Sequence, residues 1–297
     1  MAHLNEPGEC GVHTTPSKAV LITGCSTGIG RATAIAFAQA GWPTYATARR
    51  VESISDLESY GCLTLPLDVT DTESIQSAVD TVKKAHGSVG VLVNNAGYAL
   101  HAALESLPVD AVRRQFETNV FGSLEVTNRV LPAMREHGSG HIFFVGSIAG
   151  TTAVPSGGAY CASKHALEAI CDALRFEVRQ FGVRVVLIKP GPVSTNFGIT
   201  QSAANEREIV DPGPYAEFNS QADRIVAEQH DSLARLLGCK PEWVANVIVH
   251  AATTSRPHSR YLVTRGAHIA RFARRALPDS AWDRIMSIAL TAPRPTR

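Results

Sequence analysis

A chain of 297 residues with 28 Lys+Arg against 27 Asp+Glu carries a formal net charge of +1, so nothing in its charge favours a nucleic-acid partner. Hydrophobic residues make up 44% of it and charged residues 19%, enough for a sizeable core in one α/β domain with extra segments. Six cysteines (Cys10, Cys25, Cys62, Cys161, Cys171, Cys239) lack a CxxC pair, and the histidines lack ligand spacing, which argues for reduced thiols and against a metal site.

Residues 1–17 are small and polar without an apolar core, and read as a mobile N-terminal tail rather than a secretory signal. No run of about 18 apolar residues occurs, so no spanning helix is expected and a cytoplasmic location is the default. From residue 18 to 297 a single domain is expected. Short β-branched runs predict strands at Ala19–Ile22, Thr44–Ala46, Leu63–Leu67, Val89–Val93, His141–Val145, Val183–Ile188 and Arg260–Val263. Stretches of helical period lie between them at Arg31–Ala40, Thr72–Ala85, Val109–Arg135 and Ala159–Phe181. This alternation is the pattern of repeated βαβ units. It predicts an α/β fold, a doubly wound Rossmann-type parallel sheet of about seven strands with helices on both faces.

The first strand runs into Thr23-Gly24-Cys25-Ser26-Thr27-Gly28-Ile29-Gly30. Glycine is needed where a chain turns tightly and where backbone must approach a pyrophosphate, and the following helix offers unpaired N–H groups to the anion. Gly24, Ser26, Thr27, Gly28, Ile29 and Gly30 are therefore the expected phosphate-binding turn. The second strand ends in Tyr45-Ala46-Thr47-Ala48-Arg49-Arg50, with no acid to hold ribose hydroxyls and two guanidinium groups suited to a 2′-phosphate. NADP(H) is accordingly expected in preference to NAD(H), with Arg49 as the phosphate contact.

The spacing Gly24-x3-Gly28-x-Gly30 resembles the short-chain dehydrogenase/reductase family, and further motifs follow in that family's order. They are Asp68-Val69, Asn94-Asn95-Ala96-Gly97, Tyr160-Cys161-Ala162-Ser163-Lys164 and Pro190-Gly191. The resemblance implies adenine contacts from Asp68 and Val69, a nucleotide-facing turn at Asn95, Ala96 and Gly97, and further contacts from Pro190, Gly191, Val193 and Thr195. The text around Leu21–Ser26, Tyr45–Arg49, Tyr160–Leu167 and Gly191–Val193 is similar to the 17β-hydroxysteroid dehydrogenase type 1 and retinol dehydrogenase branch.

Tyr160 and Lys164 are four residues apart in a helical stretch, so they share a face. A free tyrosine titrates at about 10, and a neighbouring ammonium favours its phenolate. Ser147 closes the fifth strand, where an open α/β sheet places its ligand, and a hydroxyl there can donate to a substrate oxygen as charge builds. It stands thirteen residues before Tyr160, the family's spacing. Asn119 matches the family's fourth catalytic residue. An asparagine inside a helix competes for backbone groups, and a local opening there would relay protons towards Lys164. The expected catalytic set is thus Asn119, Ser147, Tyr160 and Lys164, with Tyr160 and Lys164 also touching the cofactor. His165 and Cys161 face away from the pair.

Ala99, Leu100, Val154, Ser156 and Phe197 are expected to line an apolar cleft, with Ser147, Val154 and Tyr160 touching substrate. The resemblance implies a lipophilic ketone, aldehyde or alcohol of the steroid, retinoid or acyl class, handled by a homodimer or homotetramer. A lid is expected at about 194–238, around Asp211-Pro212-Gly213-Pro214. The C-terminal extension, about 267–297, is basic and partly amphipathic. It would cover the substrate site, form a subunit contact or touch a membrane peripherally. Two other functions share such a core: a non-catalytic NADP(H) sensor, and an isomerase or dehydratase of the extended relatives. The first should lack one of Ser147, Tyr160 and Lys164, and the second should have another glycine spacing and a larger C-terminal domain.

Overall fold

Seven parallel strands form one sheet in the order β3-β2-β1-β4-β5-β6-β7. They are β1 (Val20–Ile22), β2 (Thr44–Ala48), β3 (Leu63–Pro66), β4 (Val91–Asn94), β5 (Gly140–Val145), β6 (Val183–Lys189) and β7 (Arg260–Leu262). The computed structural model describes residues 16–195, 208, 213–222, 224 and 237–290, the last two through their backbone only. The first fifteen residues of the expected tail, most of the expected lid, Phe197 and residues 291–297 lie outside the described residues.

The strands form where the sequence is apolar at consecutive positions, as sheets covered on both faces require. Alternate side chains enter two separate cores. Leu21, Leu92, Ile142, Phe144, Val185 and Leu187 point to one face, where α2 (Thr72–His86), α4 (Ser123–Glu136) and α5 (Gly158–Val178) pack. Val20, Ile22, Val91, Val93, Phe143, Val145, Val186 and Ile188 point to the other. There α1 (Gly28–Gln39) and α6 (Pro241–Thr253) cover them, with Ala34, Phe37, Val244, Ile248 and Ala251 buried. Two further helices follow β7: α7 (Arg265–Ala276) and α8 (Asp279–Leu290).

All seven expected strands form, with shifts of one or two residues at their ends. The helices differ more. The expected helix Val109–Arg135 is three pieces: α3 (Val109–Phe116), a π-helical turn over Glu117–Gly122, and α4. Ala159–Phe181 becomes α5 closed by a 3₁₀ turn at Arg179–Phe181, which Gly182 ends at φ +73°. The sequence reading did not anticipate α6 or the 3₁₀ helix Val51–Tyr60. The latter has only Ile54 and Leu57 as buried anchors, too few to set a period.

A buried acid–base network fastens the end of the sheet beneath the site. Lys189, at the last position of β6, is 1% exposed and pairs with Glu168 of α5. Glu168 also meets Arg260 of β7 at 3.3 Å, and Arg260 pairs with Asp172. A buried ammonium is tolerated only when matched in this way.

Phe143 and Phe144 are both fully buried and fill opposite cores from adjacent positions of the same strand. Phe143→Ala should cost about 3–5 kcal/mol of stability, read by urea denaturation; a loss below 1 kcal/mol would contradict this packing.

Candidate active site

The strand order reverses between β1 and β4. The helices leaving these strands pass to opposite faces, which opens a crevice at their carboxyl ends. The parting strands expose backbone groups, and two side chains satisfy them. The Thr23 hydroxyl accepts hydrogen bonds from the backbone N–H groups of Asn95 and Ala96, each at 3.0 Å. In return the Asn95 amide donates to the carbonyls of Thr23 and Gly24, both at 2.9 Å. Thr23 is 1% exposed and was not singled out in the sequence; a buried hydroxyl at a strand's end was the available signal.

This knot leaves no space for side chains on the turn. Gly24 adopts φ +72°, and a Cβ on it would stand 2.9 Å from Ala96 Cα. A Cβ on Gly30 would stand 2.4 Å from both Asn95 Nδ2 and the Gly24 carbonyl. α1 then starts at Gly28 with no side-chain hydrogen bond from Thr27 at its cap and no acid in its first turn. Its leading N–H groups, beside the exposed Ser26 and Thr27 and the half-buried Ile29, are therefore open to an anion. The turn fits a dinucleotide pyrophosphate. Thr195, from the loop after β6, packs against Gly28.

The other residues expected on the nucleotide side follow the carboxyl ends of β2, β3 and β6. Arg49 is exposed just past β2, and its charge reaches the Tyr98 phenol. Asp68, past β3, accepts from the backbone N–H and hydroxyl of Thr70 at 2.9 and 2.8 Å, while Val69 is buried against Gly122. Past β6, the Pro190 carbonyl accepts from Ile148 N–H at 2.9 Å, and Gly191 N–H donates to the Thr264 hydroxyl at 3.2 Å. Val193 bridges to Cys239.

Ser147 follows β5 and its hydroxyl accepts from Ala149 N–H at 3.1 Å. Tyr160, on the first turn of α5, makes a hydrogen bond with Ser147. Desolvation pushes the Tyr160 phenol up to about 12, and the Ser147 hydrogen bond opposes that rise. Lys164 is 6% exposed, its ammonium donates to the Val145 carbonyl at 2.9 Å, and it stands 5.7 Å from the Tyr160 ring centre. Burial lowers it to about 8. Asn119 lies in the π-helical turn, so the local opening expected of the helix is present. Its amide clamps Tyr98, accepting from the backbone N–H at 3.0 Å and donating to the carbonyl at 2.9 Å, and also donates to the Ser163 hydroxyl at 3.1 Å.

The cleft wall differs from the sequence reading. Ala99 and Leu100 are fully buried, and Leu100 packs with Ala102, Leu107, Ala111 and Ala159 under α3 and α5. Apolar character there serves a small third core. Val154 remains 37% exposed, and Ser156 holds φ +62° while its carbonyl accepts from Ala102 N–H at 2.8 Å. His101, not considered from the sequence, lies with its ring 6.1 Å from that of Tyr160. Cys161 is buried and His165 exposed, both away from the pair. Among the described residues no cluster of ligand-type side chains could hold a metal ion.

A doubly wound sheet with a glycine turn at its switch point, and a Ser–Tyr–Lys group beside it, defines a nicotinamide-dependent type of oxidoreductase. The family described as short chain dehydrogenase matches residues 18–206, and the chain belongs to it. The chain is 34% identical to the uncharacterized oxidoreductase YbbO of Escherichia coli over 272 residues, 91% of this chain and 94% of the relative. It is 34% identical over 275 residues to the NADPH-dependent 3-dehydrocapnine reductase of Ornithobacterium rhinotracheale, covering 89% and 94%. It is 35% identical over 257 residues to human 17-beta-hydroxysteroid dehydrogenase type 1, covering 82% and 77%. A short-chain dehydrogenase/reductase from Burkholderia phymatum, solved with NAD, superposes with a TM-score of 0.76 at 25% identity, covering 95% and 97%.

Thr23→Val keeps the shape but leaves two backbone N–H groups without their acceptor. It should cost about 1–3 kcal/mol by urea denaturation and weaken dinucleotide binding in calorimetry. Unchanged stability and affinity would show that the knot is dispensable.

Proposed function

We propose that this oxidoreductase interconverts a lipophilic ketone or aldehyde and its alcohol, with NADP(H) as cofactor and Tyr160 as general acid and base. The observation that carries the reading is the gathering of Ser147, Tyr160 and Lys164 at the carboxyl end of β5, where the Lys164 ammonium donates to the Val145 carbonyl at 2.9 Å and stands 5.7 Å from the Tyr160 ring centre. The dinucleotide, when bound, supplies or accepts the hydride. In reduction Tyr160 hands its proton to the substrate oxygen, and Ser147 donates a hydrogen bond to that oxygen as negative charge develops. Lys164 stabilises the phenolate left behind, and its pKa of about 8 keeps it mostly charged at neutral pH. Asn119 positions the Tyr98 backbone and Ser163 on either side of this group. Oxidation is the same path reversed.

Burial of Tyr160 favours its neutral form, the form that gives a proton. NADP(H) over NAD(H) rests on Arg49 and Arg50 at the end of β2 and on the absence of an acid there. The lipophilic substrate class is supported by the exposed Val154 in the loop before α5 and by two relatives, a hydroxysteroid dehydrogenase and a 3-dehydrocapnine reductase. We read the segment about 194–238 as a lid. Its described part reaches the cleft wall: the Asn219 amide oxygen accepts from Ala103 N–H at 2.9 Å, and Tyr215 donates to Glu105 at 2.8 Å. A homodimer or homotetramer is supported by Phe121 and Phe176, 52% and 75% exposed on neighbouring helical segments.

Tyr160→Phe should lower turnover on a ketone panel by about a hundredfold or more, with NADPH affinity nearly intact. Near-normal turnover in this variant would remove Tyr160 from the chemistry. For the cofactor, kcat/KM should be higher with NADPH than with NADH, and Arg49→Asp should reverse that order. A clear NADH preference in the unaltered chain would overturn the assignment.

A further inference from the structure

The formal charge of +1 hides an uneven distribution. Residues 265–297 hold seven arginines and two aspartates with no lysine or glutamate, a surplus of five, so the preceding 264 residues carry −4. Two helices take up most of this basic segment, and neither is long and apolar enough to cross a membrane.

α7 is rooted on the loop after β6. Thr264 caps it by accepting from Ala267 N–H at 3.1 Å, Ala267 is fully buried, and a Cβ on Gly191 would stand 2.4 Å from the Thr264 hydroxyl. The opposite side of the helix has no such packing. At about 100° per residue, Arg265, Ile269, Phe272 and Ala276 fall on one strip, with Arg275 about a quarter turn to its side, and all five are exposed. Ile269 is 57% exposed and Phe272 is 76% exposed. Arg274 is held inward, 2.8 Å from Asp279 and 5.8 Å from the Trp282 ring centre, and so ties α7 to α8. α8 adds the exposed Arg284 and Ile285. Among the described residues, no salt bridge involves Arg265, Arg271, Arg275 or Arg284.

We infer that this C-terminal helix pair docks the enzyme on an anionic lipid surface. Ile269 and Phe272 enter the boundary between head groups and acyl chains, while the flanking arginines reach the phosphates through their long stems. A second copy of the chain suits the face less well. A two-fold contact would set the same arginines against each other, with no acid among them beyond Asp279 and Asp283. The other side of α7 is rooted at Gly191, on the loop after β6 whose Thr195 packs against Gly28, so the docked helix and the cofactor turn share one connection. A lipophilic substrate would then meet the enzyme from the surface in which it dissolves. Docking itself does not depend on the substrate reading.

The test is co-sedimentation of the full chain with vesicles of phosphatidylcholine alone or mixed with phosphatidylglycerol. The chain should pellet with the mixed vesicles, roughly tenfold less with phosphatidylcholine alone, and less as salt is raised. Ile269→Ser with Phe272→Ser, and separately Arg265→Glu with Arg275→Glu, should each abolish pelleting. Thermal melting and turnover on a water-soluble ketone should be unchanged in both, which separates docking from fold and from chemistry. A chain that stays in the supernatant with mixed vesicles overturns the inference. So does pelleting that ignores lipid charge, or sedimentation velocity showing that Phe272→Ser merely dissociates an assembly that never bound vesicles.

Discussion

Where β1 and β4 part, adjacent parallel strands must send their chains to opposite faces of the sheet, and each step apart strips backbone groups of their ladder partners. A buried N–H or carbonyl without a partner is costly, so the opening can exist only if side chains take over that role. Thr23 and Asn95 do so reciprocally, hydroxyl to amide N–H groups and amide to carbonyls. Their closeness dictates glycine at positions 24 and 30, and it holds α1 with its N-terminus towards the crevice. The nucleotide site is in this sense a by-product of satisfying the seam.

The same seam fixes the acid–base group from the far side. β5 pairs with β4 in register, Phe144 against Asn94, which brings Val145 and Ser147 level with the turn at Asn95. Lys164 then finds the Val145 carbonyl, and Tyr160, one helical turn earlier, finds Ser147. Burial acts on the two groups in opposite directions, raising the phenol to about 12 and lowering the ammonium to about 8. Both shifts favour the neutral forms. On the proposed function, a site so prepared would hold its proton on tyrosine until negative charge there is offset from nearby, with Lys164 as the chain's own cation for that role.

Much of this was legible in the sequence. The central strands β1, β4, β5 and β6 alternate between two buried faces and read as apolar runs, whereas β2, β3 and β7 carry threonine, proline or arginine; the glycine, Asn-Asn-Ala-Gly and Tyr–Lys motifs lie at strand ends or helix starts. What escaped notice depended on partners distant in sequence. The Thr23 hydroxyl matters because Asn95 and Ala96 arrive beside it, 72 and 73 positions later. A local opening at Asn119 is expected from the sequence and forms as a π turn over Glu117–Gly122, but its partners Tyr98 and Ser163 lie 21 and 44 positions away and leave no local sign. Leu100 looked like cleft lining because apolar character does not distinguish a small core from a pocket wall.

The segment after β4 shows why that distinction lies beyond reading along the chain. The stretch from Tyr98 to Leu107 has no strand and only one short 3₁₀ turn to hold it, so its path is set from outside. Asn119 fixes it at Tyr98, the Ser156 carbonyl at Ala102, and Asn219 at Ala103 and Ser106. These anchors come from the π turn, the strained loop before α5 and the segment after β6. The same stretch carries His101, whose ring lies 6.1 Å from that of Tyr160. The motifs of the proposed chemistry are each local and short, whereas the path of this stretch is held by contacts from three separate segments. On the proposed function, such a division would let the chemistry stay constant while the accepted substrate changes.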